Sequence, residues 1–399
     1  MNIKRLIRPE LVKMKSYTPI EPTEILSQEG ELPAEKVIKL DGNENPYGCS
    51  PKVYQALATY PYYHNYPDPE QRELRKALEK YTGLSRRHIV CGMGSDELID
   101  LILRLFLKPG DEVINCPPTF GMYPFSTDVC GGKVVDVPRT EGFALDVAGI
   151  RKAVTRKTKV IFVASPNNPT GNVATEQEVT ELVGTGKIVV VDEAYFEFSN
   201  VTVANLVPNY PNLIVLRTFS KWAGLAGLRI GYGFFPVEIA DYLMKIKQPY
   251  NASAAAQAAV LASLADTEYL RANVARIVKE RERLFGKLKE LDWLKPYPSQ
   301  ANFILCSLNY PPAVIAGDLP AKAWQAGAKQ SLAKEIWAQL RKRSIFVRYF
   351  DTPELKDCLR ISVGRPEDTD ALIEALKALS VIASPDLSGR SNLNHSPLP

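Results

Sequence analysis

The 399-residue chain is poor in the residues that build metal sites and has no long apolar run. Its three histidines cannot easily form a His-rich metal site, and its six cysteines are scattered without a CxxC pair. We therefore expect no metal, and reduced, mostly buried thiols. The most apolar segment, residues 98–107, is short and interrupted by Asp100 and Arg104, so it does not predict a membrane span.

The chain also lacks a strong charge of either sign. Its 49 basic and 45 acidic side chains leave a formal net charge of +4, and no basic block is interleaved with aromatic residues as a nucleic-acid groove requires. The N-terminus has several lysines and arginines but no continuous apolar core, which is not typical of a secretory signal. We therefore expect a cytoplasmic enzyme that accepts small anionic ligands and has no nucleic-acid or membrane partner.

From about residue 70 the helix and strand patterns alternate, which predicts an α/β fold with a mostly parallel sheet. Three runs are nearly continuous and rich in Val and Ile, as strands buried on both faces are: 159–164, 188–191 and 213–216. Each run is followed by polar residues. Because ligands of open α/β sheets bind outside the carboxyl ends of the strands, we expect segments 165–171, 192–195 and 220–221 to converge on one pocket.

Beyond about residue 250 the pattern changes. It predicts two helices and then a small α+β domain of strand, helix, strand, strand and helix: 252–265 and 267–291, then 303–306, 332–342, 345–349, 359–363 and 368–379. We expect four parts along the chain: an N-terminal segment joining the small domain (1–65), a large cofactor-binding domain (66–290), the small domain (291–380) and a disordered tail (381–399).

One lysine has a setting that suits covalent chemistry. Lys221 closely follows the apolar run 213–216, stands beside Ser220, and is followed by small residues and Arg229. A lysine so placed could hold a cofactor aldehyde as a Schiff base while Arg229 binds its phosphate. A lone Ser-Lys pair is common by chance and would more often be a solvated loop, so the interpretation depends on other segments.

Those other segments occur together between about residues 17 and 364, and the chain resembles the fold-type I pyridoxal-phosphate (PLP) aminotransferases, most closely the histidinol-phosphate aminotransferase family. The matching segments stand in the family's order: 40–47 (LDGNENPY), 66–68 (YPD), 92–97 (GMGSDE), 116–120 (CPPTF), 166–171 (PNNPTG), 192–195 (DEAY), 218–229 around the lysine, and 359–364 (LRISVG). The resemblance implies a seven-stranded, mostly parallel sheet flanked by helices, a small α+β domain, PLP as cofactor and a homodimer.

The resemblance also implies the catalytic residues. Lys221 would attach the cofactor and move a proton between the substrate carbon and the cofactor. Asp192 would pair with the pyridine nitrogen, and Asn168 and Tyr195 would hydrogen-bond the phenolate oxygen. Phe120 would cover one face of the ring. Out of context, each could instead be a cap, a turn or a core residue.

The cofactor phosphate would lie at the start of a helix, where free amides and the helix dipole favour an anion. The phosphate ligands implied by the resemblance are Gly94, Ser95, Asp96, Ser220, Arg229 and, from the neighbouring subunit, Tyr66. A dinucleotide fingerprint at residues 92–97 is excluded, because no third glycine follows.

Two arginines are expected to set substrate choice. Arg360 matches the family's arginine for a substrate carboxylate, and Arg348 matches a second one that is typical of the histidinol-phosphate enzymes. The resemblance therefore implies L-histidinol phosphate as amino donor and 2-oxoglutarate as acceptor, giving imidazole acetol phosphate and glutamate. Tyr17, Asn43 and Asn45 are expected near the same pocket.

The chain departs from the family pattern in two places. Trp222 stands where the family usually has a smaller residue, which leaves the shape of the pocket open. Segment 307–333 is longer than expected, and we interpret it as a surface loop, with a substrate lid as the alternative.

Three other functions fit much of this pattern. An aromatic or broad-specificity amino-acid aminotransferase would differ only in the substrate pocket. A PLP-dependent decarboxylase of a phosphorylated amino acid would use the same cofactor site and arginine pair. A regulator could retain the fold as a binding module, although the intact lysine, aspartate and tyrosine argue against it.

Overall fold

The protein contains two β-sheets surrounded by helices, in a computed structural model that describes residues 1–29, 33–309 and 332–383. Within these residues the strands are β1 (Ile38–Leu40), β2 (Ile89–Gly92), β3 (Glu112–Asn115), β4 (Lys133–Asp136), β5 (Thr158–Ala164), β6 (Ile188–Asp192), β7 (Leu213–Thr218), β8 (Gly231–Phe234), β9 (Leu294–Pro296), β10 (Phe303–Leu308), β11 (Ile345–Tyr349) and β12 (Cys358–Ser362). The α-helices are α1 (Pro9–Val12), α2 (Thr23–Glu29), α3 (Pro51–Thr59), α4 (Arg72–Thr82), α5 (Gly94–Phe106), α6 (Met122–Val129), α7 (Val147–Ala153), α8 (Glu176–Val183), α9 (Phe196–Ser199), α10 (Val237–Ile246), α11 (Ala254–Leu264), α12 (Thr267–Lys289), α13 (Leu332–Arg341) and α14 (Pro366–Ala383).

The larger sheet has seven strands in the order β2-β8-β7-β6-β5-β3-β4. Strand β8 is antiparallel to both of its neighbours, and the remaining pairs are parallel. The predicted α/β fold with a mostly parallel, seven-stranded sheet is therefore confirmed. The three apolar runs singled out in the sequence form β5, β6 and β7, which lie side by side in this sheet.

Helices cover both faces of this sheet, which explains why its central strands have no polar alternation. In β5, Ile161 and Val163 belong to one apolar cluster, whereas Val160 and Phe162 belong to a second cluster on the opposite face. Helices α5 and α10 contribute to the second cluster, and α8 and α12 contribute to the first. Since every β5 side chain from 160 to 164 is buried, the polar residues that follow the strand are the first that can reach a ligand.

The smaller sheet has five strands in the order β1-β11-β12-β10-β9. Strand β1, from the N-terminal part of the chain, pairs in parallel with β11, and Ile38 lies opposite Ile345. The other strand pairs are antiparallel. The N-terminal part of the chain is thus built into this sheet, while the division into domains at residues 65, 290 and 380 stays a prediction.

The last helix begins earlier and ends later than predicted, because α14 spans Pro366–Ala383 rather than 368–379. Pro366 suits a first helical position, where no backbone donor is needed. The Asp368 carboxylate accepts a hydrogen bond from the Arg365 amide at 2.7 Å and so closes the first turn. Most of the predicted tail and residues 310–331 of the long segment lie outside the described residues.

Among the described residues, no helix is long and apolar enough to cross a membrane. The same part of the chain contains no group of three or more His, Cys, Asp or Glu side chains that could hold a metal ion.

Candidate active site

The carboxyl ends of three neighbouring strands meet at one edge of the larger sheet. Ala164, the last residue of β5, pairs with Asp192, which in turn pairs with Leu216 of β7. The Ser165 amide donates to the Asp192 carbonyl at 2.9 Å, so the loop after β5 begins beside the end of β6. The polar segments that follow these strands therefore converge at one edge, as the sequence pattern indicates.

Lys221 lies just beyond the end of β7 and is largely buried. Its ammonium donates to the carbonyl of Gly42 at 3.0 Å, which joins it to the loop after β1. Burial, with the nearby charge of Arg360, lowers the pKa of Lys221 to about 8. A larger share of this amine is therefore uncharged near neutral pH than of an ordinary lysine, as a nucleophile requires.

Asp192 is buried at the end of β6, with two hydrogen-bond donors at its carboxylate. The Tyr123 hydroxyl donates to Oδ2 at 2.8 Å, and the Ala194 amide donates to Oδ1 at 3.1 Å. Burial raises the pKa of Asp192 to about 6, while these two hydrogen bonds oppose the rise. A cationic partner would complete the site, since a buried carboxylate is stable only when it is paired.

Tyr123 is a site residue to which no sequence motif pointed. It is fully buried in α6 and stacks on Phe162 with ring centroids 4.6 Å apart and an interplanar angle of 3°. Phe120 packs edge-on against it at 5.6 Å. The sequence offers only the spacing of two aromatic residues three positions apart, which an apolar helix face also explains.

Tyr195 and Asn43 form a second hydrogen-bonded pair in the site. The Asn43 amide donates to the Tyr195 hydroxyl at 2.9 Å, and burial raises the pKa of Tyr195 to about 12. Asn43 has a left-handed backbone (φ 52°), which asparagine tolerates better than most residues. Ser362 and Asn302 hold it in place through hydrogen bonds to its main chain and side chain.

The side chain of Arg360, from β12 of the smaller sheet, forms hydrogen bonds to the loops that follow β5 of the larger sheet and β1 of the smaller sheet. Its Nη1 donates to Asn168 Oδ1 at 2.6 Å, and its Nη2 donates to the Asp41 carbonyl. Because the amide oxygen of Asn168 is thus occupied, its NH₂ group is left to donate to an oxygen in the pocket. The buried Nε of Arg360 has no hydrogen-bond partner among the described residues, and burial lowers the pKa of this guanidinium to about 10.

Arg348 lies opposite Arg360 on the neighbouring strand, where the two residues are register partners. Both guanidinium carbons lie 5.7 Å from the centre of the Phe350 ring, so the two side chains share one face of the sheet. Arg348 also donates to the Thr18 carbonyl at 3.1 Å. Within the described parts of the chain neither arginine is paired with a carboxylate, and two such adjacent cations suit a doubly charged anion.

Tyr17 belongs to the same N-terminal segment as Thr18, and it lies near the helix that carries Tyr123. Its ring packs edge-on against Phe125 with centroids 6.2 Å apart. The side chain remains exposed, so its hydroxyl can approach a ligand from the solvent side of the pocket. The fold therefore brings Tyr17 to the edge of the site and not to its centre.

The start of α5 has the backbone expected of an anion cradle. Gly94 has a left-handed conformation (φ 77°), and a Cβ at this position would lie 2.6 Å from Arg229 Nη2. A Cβ at Gly231 would lie 2.6 Å from the Ser95 amide, so β8 passes directly behind this turn. Arg229 pairs with Asp96 at 3.0 Å and donates to Ser220 Oγ at 3.4 Å. The predicted phosphate ligands of one subunit thus lie together.

Trp222 does not shape the pocket. Its indole is fully buried and stacks on Tyr81, with centroids 5.5 Å apart and an interplanar angle of 4°. Its carbonyl accepts a hydrogen bond from the Asn45 amide at 2.8 Å. Asn45 therefore supports the loop that carries Lys221 through the main chain of the following residue.

Tyr66 is a predicted site residue that the fold of a single chain does not bring to the pocket. Its side chain is 81% exposed and stacks on Tyr250, with centroids 4.4 Å apart. Further exposed aromatic residues lie near it in the sequence: Tyr54, Tyr62 and Tyr63. An exposed aromatic group of this kind is typical of a protein interface.

Comparison with known proteins agrees with this geometry. The profile of the family "Aminotransferase class I and II" matches residues 35–376. The chain therefore belongs to the class I and II aminotransferases.

Proteins with similar sequences show to which family within that class the chain belongs. A histidinol-phosphate aminotransferase of Dehalococcoides mccartyi is 48% identical over 375 residues, covering 94% of this chain and 98% of the relative. Histidinol-phosphate aminotransferase 1, chloroplastic, of Arabidopsis thaliana is 46% identical over 93% of this chain and 85% of its own length. Within the class, the chain belongs to the histidinol-phosphate aminotransferase family.

A solved structure has the same fold. The crystal structure of histidinol-phosphate aminotransferase from Sinorhizobium meliloti, in complex with pyridoxal-5'-phosphate, has a TM-score of 0.79 and 27% sequence identity. The similarity covers 94% of this chain and 98% of that one. The similarity therefore extends over both sheets of the protein.

Proposed function

We propose that the chain transfers the amino group of L-histidinol phosphate to 2-oxoglutarate with PLP as cofactor, giving imidazole acetol phosphate and glutamate in histidine biosynthesis. Family membership supports the reaction and the cofactor. The structural observation that carries the substrate assignment is the pair of register partners Arg348 and Arg360, which present two cations on one face of the small sheet. A phosphate dianion matches that pair better than a single carboxylate does.

The residues of this chain fit PLP. Bound PLP supplies an electrophilic aldehyde and a ring that accepts the electron pair left by proton removal. The turn at Gly94 offers its backbone to the phosphate, and Ser220 and Arg229 complete that cradle. Asp192 lies buried and has no cationic partner among the described residues, as required of a group that pairs with a protonated pyridine nitrogen.

Lys221 would bind the cofactor covalently and then, once displaced by the substrate amine, carry a proton between the substrate α-carbon and the cofactor C4' atom. The Gly42 carbonyl orients its amine. Tyr195 and the free NH₂ of Asn168 would donate to the phenolate oxygen, and Phe120 would cover one ring face. Lys221, Asp192 and Tyr195 are the residues assigned to catalysis.

Substrate binding is assigned to the small-sheet side of the pocket. Arg360 would bind the carboxylate of glutamate or 2-oxoglutarate, and its unpartnered Nε is the donor available for that contact. Arg348 and Tyr17, with the charge of Arg360 beside them, would bind the phosphate of histidinol phosphate. Asn43 would act through Tyr195, because its amide is bonded to that hydroxyl.

We further propose that the protein is a homodimer and that it is located in the cytoplasm. A homodimer would place the exposed Tyr66 at the cofactor phosphate of the other subunit and would cover the exposed tyrosines around it. The presence of two separate sheets supports the proposed domain division at residues 65, 290 and 380. All six cysteines are free thiols, as expected for a reducing compartment such as the cytoplasm.

Replacing Arg348 with alanine tests the phosphate assignment. We expect the KM for L-histidinol phosphate to rise far more than the KM for glutamate. Only L-histidinol phosphate has a phosphate group, and the variant removes the guanidinium that would bind it. Removing a charge-assisted hydrogen bond from a half-buried site costs about 2–3 kcal/mol, or roughly 30- to 150-fold in binding. Arg343→Ala, an exposed arginine before the same strand, is the matched control. Equal effects on both substrates would remove Arg348 from this role.

The pH dependence of cofactor capture tests the environment of Lys221. Only the uncharged amine attacks an aldehyde, and its fraction reaches one half at a pH of about 8 in this site. We expect the rate at which cofactor-free protein gains a lysine-bound chromophore from added PLP to rise with pH and level off above that point. Stopped-flow absorbance at constant ionic strength measures it. A midpoint above about pH 10, the ordinary lysine value, would show an amine exposed to water.

A panel of amine donors against 2-oxoglutarate tests the reaction itself. L-histidinol phosphate is expected to be the preferred donor, with L-phenylalanine far slower. Comparable turnover of phenylalanine would favour a broad-specificity aminotransferase. Release of carbon dioxide from a phosphorylated amino acid would instead indicate a decarboxylase.

A further inference from the structure

A second buried lysine, Lys247, lies outside the pocket at the end of α10. Only 6% of its surface is exposed. Its ammonium, with three N–H donors, lies within hydrogen-bond distance of four uncharged oxygens: the carbonyls of Pro69 (2.9 Å), Gln248 (3.3 Å) and Pro249 (3.3 Å), and Oδ1 of Asn251 (3.4 Å). A buried ammonium is stable only when such acceptors surround it, so Lys247 holds the segments of these oxygens together.

The four oxygens belong to two segments that carry exposed aromatic residues. Tyr250 directly follows Pro249, and Tyr66 precedes Pro69 by three residues. The rings of Tyr66 and Tyr250 stack at an interplanar angle of 18°. Because Pro67 and Pro69 each fix a backbone dihedral, holding the Pro69 carbonyl also restricts Tyr66.

The same network is anchored to the larger sheet. Asn251 Nδ2 and Gln71 Nε2 both donate to the carbonyl of Cys91 in β2, each at 3.1 Å. Gln71 also donates to Asn251 Oδ1 at 2.9 Å. Lys247 therefore ties the segment of Tyr66 to a rigid strand and not only to another loop.

We propose that Lys247 is a positioning residue that holds Tyr66 of its own subunit in the orientation in which Tyr66 binds the cofactor phosphate of the partner subunit. The inference rests on the proposed PLP-binding homodimer. Lys247 therefore acts across the subunit interface, on a site to which its own Lys221 does not belong.

Loss of the ammonium is the first test. In the Lys247→Met protein the carbonyls of Pro69, Gln248 and Pro249 lose the ammonium donor, whereas Asn251 Oδ1 keeps its Gln71 donor. The segment of Tyr66 is then held less firmly, and we expect the tyrosine hydrogen bond to the phosphate to weaken. We expect the dissociation constant for PLP to rise about ten- to hundred-fold, the range for removal of a charge-assisted hydrogen bond. Lys245→Met removes an exposed lysine from the same helix and is expected to leave PLP binding unchanged. Lys247→Gln, which keeps an amide donor, serves if the methionine variant does not fold.

Hybrid dimers separate action across the interface from action within one subunit. In the first hybrid, one chain carries Lys221→Ala and the other carries Lys247→Met, so the single lysine-bearing site receives Tyr66 from the chain with an intact Lys247. In the second hybrid, both substitutions lie on one chain and the other is unchanged, so the single lysine-bearing site receives Tyr66 from the disrupted chain. The PLP concentration that half-saturates the lysine-bound chromophore is measured for each hybrid.

We expect the first hybrid to bind PLP as the unchanged protein does and the second to bind it about ten- to hundred-fold more weakly. The reverse order would mean that Lys247 supports its own subunit's cradle, and equal affinities would mean that it does not position Tyr66. Either result overturns the inference and leaves the proposed reaction standing. The hybrids are purified through a different affinity tag on each chain. If no protein carries both tags and sedimentation shows a monomer, the proposed homodimer itself is overturned.

Discussion

Lys221→Ala is expected to abolish turnover, with a loss of roughly 10⁴-fold or more, because in the proposed mechanism one side chain supplies both covalent attachment and proton transfer. Its amine has a lowered pKa and is oriented by the Gly42 carbonyl, a setting unlike that of a solvated lysine. Amino transfer from L-histidinol phosphate to 2-oxoglutarate is the measured reaction. After borohydride reduction, mass spectrometry should find the cofactor adduct on Lys221 in the unchanged protein and on no residue of the variant.

Lys221→Arg is the matched control for charge. It keeps a cation at the end of the loop after β7 but has no nucleophilic amine, so it should be as inactive as the alanine variant. Full activity in either variant would be incompatible with the assigned role. Recovery of some activity in Lys221→Ala by added small amines would identify the missing group as the proton carrier.

Asp192→Asn is expected to have the second largest effect. The substitution keeps the shape of the side chain and removes the buried negative charge that would hold the pyridine nitrogen protonated. Breaking a buried charge pair costs about 3–5 kcal/mol, so kcat should fall by roughly 10²- to 10⁴-fold. Steady-state kinetics at saturating PLP separates this effect from weaker cofactor binding, and a variant with unchanged kcat would contradict it.

Tyr123→Phe provides a graded comparison for the same site. It removes one hydrogen bond to Asp192 and leaves the carboxylate in place, which corresponds to about 0.5–1.5 kcal/mol. Its kcat should therefore lie between those of Asp192→Asn and the unchanged protein. Tyr232→Phe removes another fully buried hydroxyl and controls for changes in packing.

The strand ends were predictable because their signal is local. Uninterrupted Val and Ile runs with polar residues behind them are enough to place Asp192, Asn168 and Lys221 at one sheet edge. The helix start at Gly94 was predictable for the same reason, since this glycine and the acidic first turn of α5 lie together in the sequence. Three strands of the five-stranded sheet, β10, β11 and β12, were expected from their apolar runs, whereas β1 and β9 were not predicted as strands because each has only three residues.

Contacts between distant segments were not predictable. Tyr123 lies 69 positions from Asp192, and no local pattern distinguishes its hydroxyl from that of a core tyrosine. Lys247 has the sequence setting of a polar residue at the end of an amphipathic helix, although it bonds to a carbonyl 178 positions away. The burial of Trp222 could not be predicted, because the two consecutive side chains have different surroundings. Lys221 bonds to the Gly42 carbonyl in the site, whereas the indole of Trp222 lies in the core.

Absorbance of the purified protein tests the central claim most directly. We expect a visible band from PLP bound to Lys221, which disappears when L-histidinol phosphate is added without an acceptor and returns when 2-oxoglutarate follows. Each cycle should release one imidazole acetol phosphate per site. A protein with no visible band, which gains none when PLP is supplied, would contradict the claim.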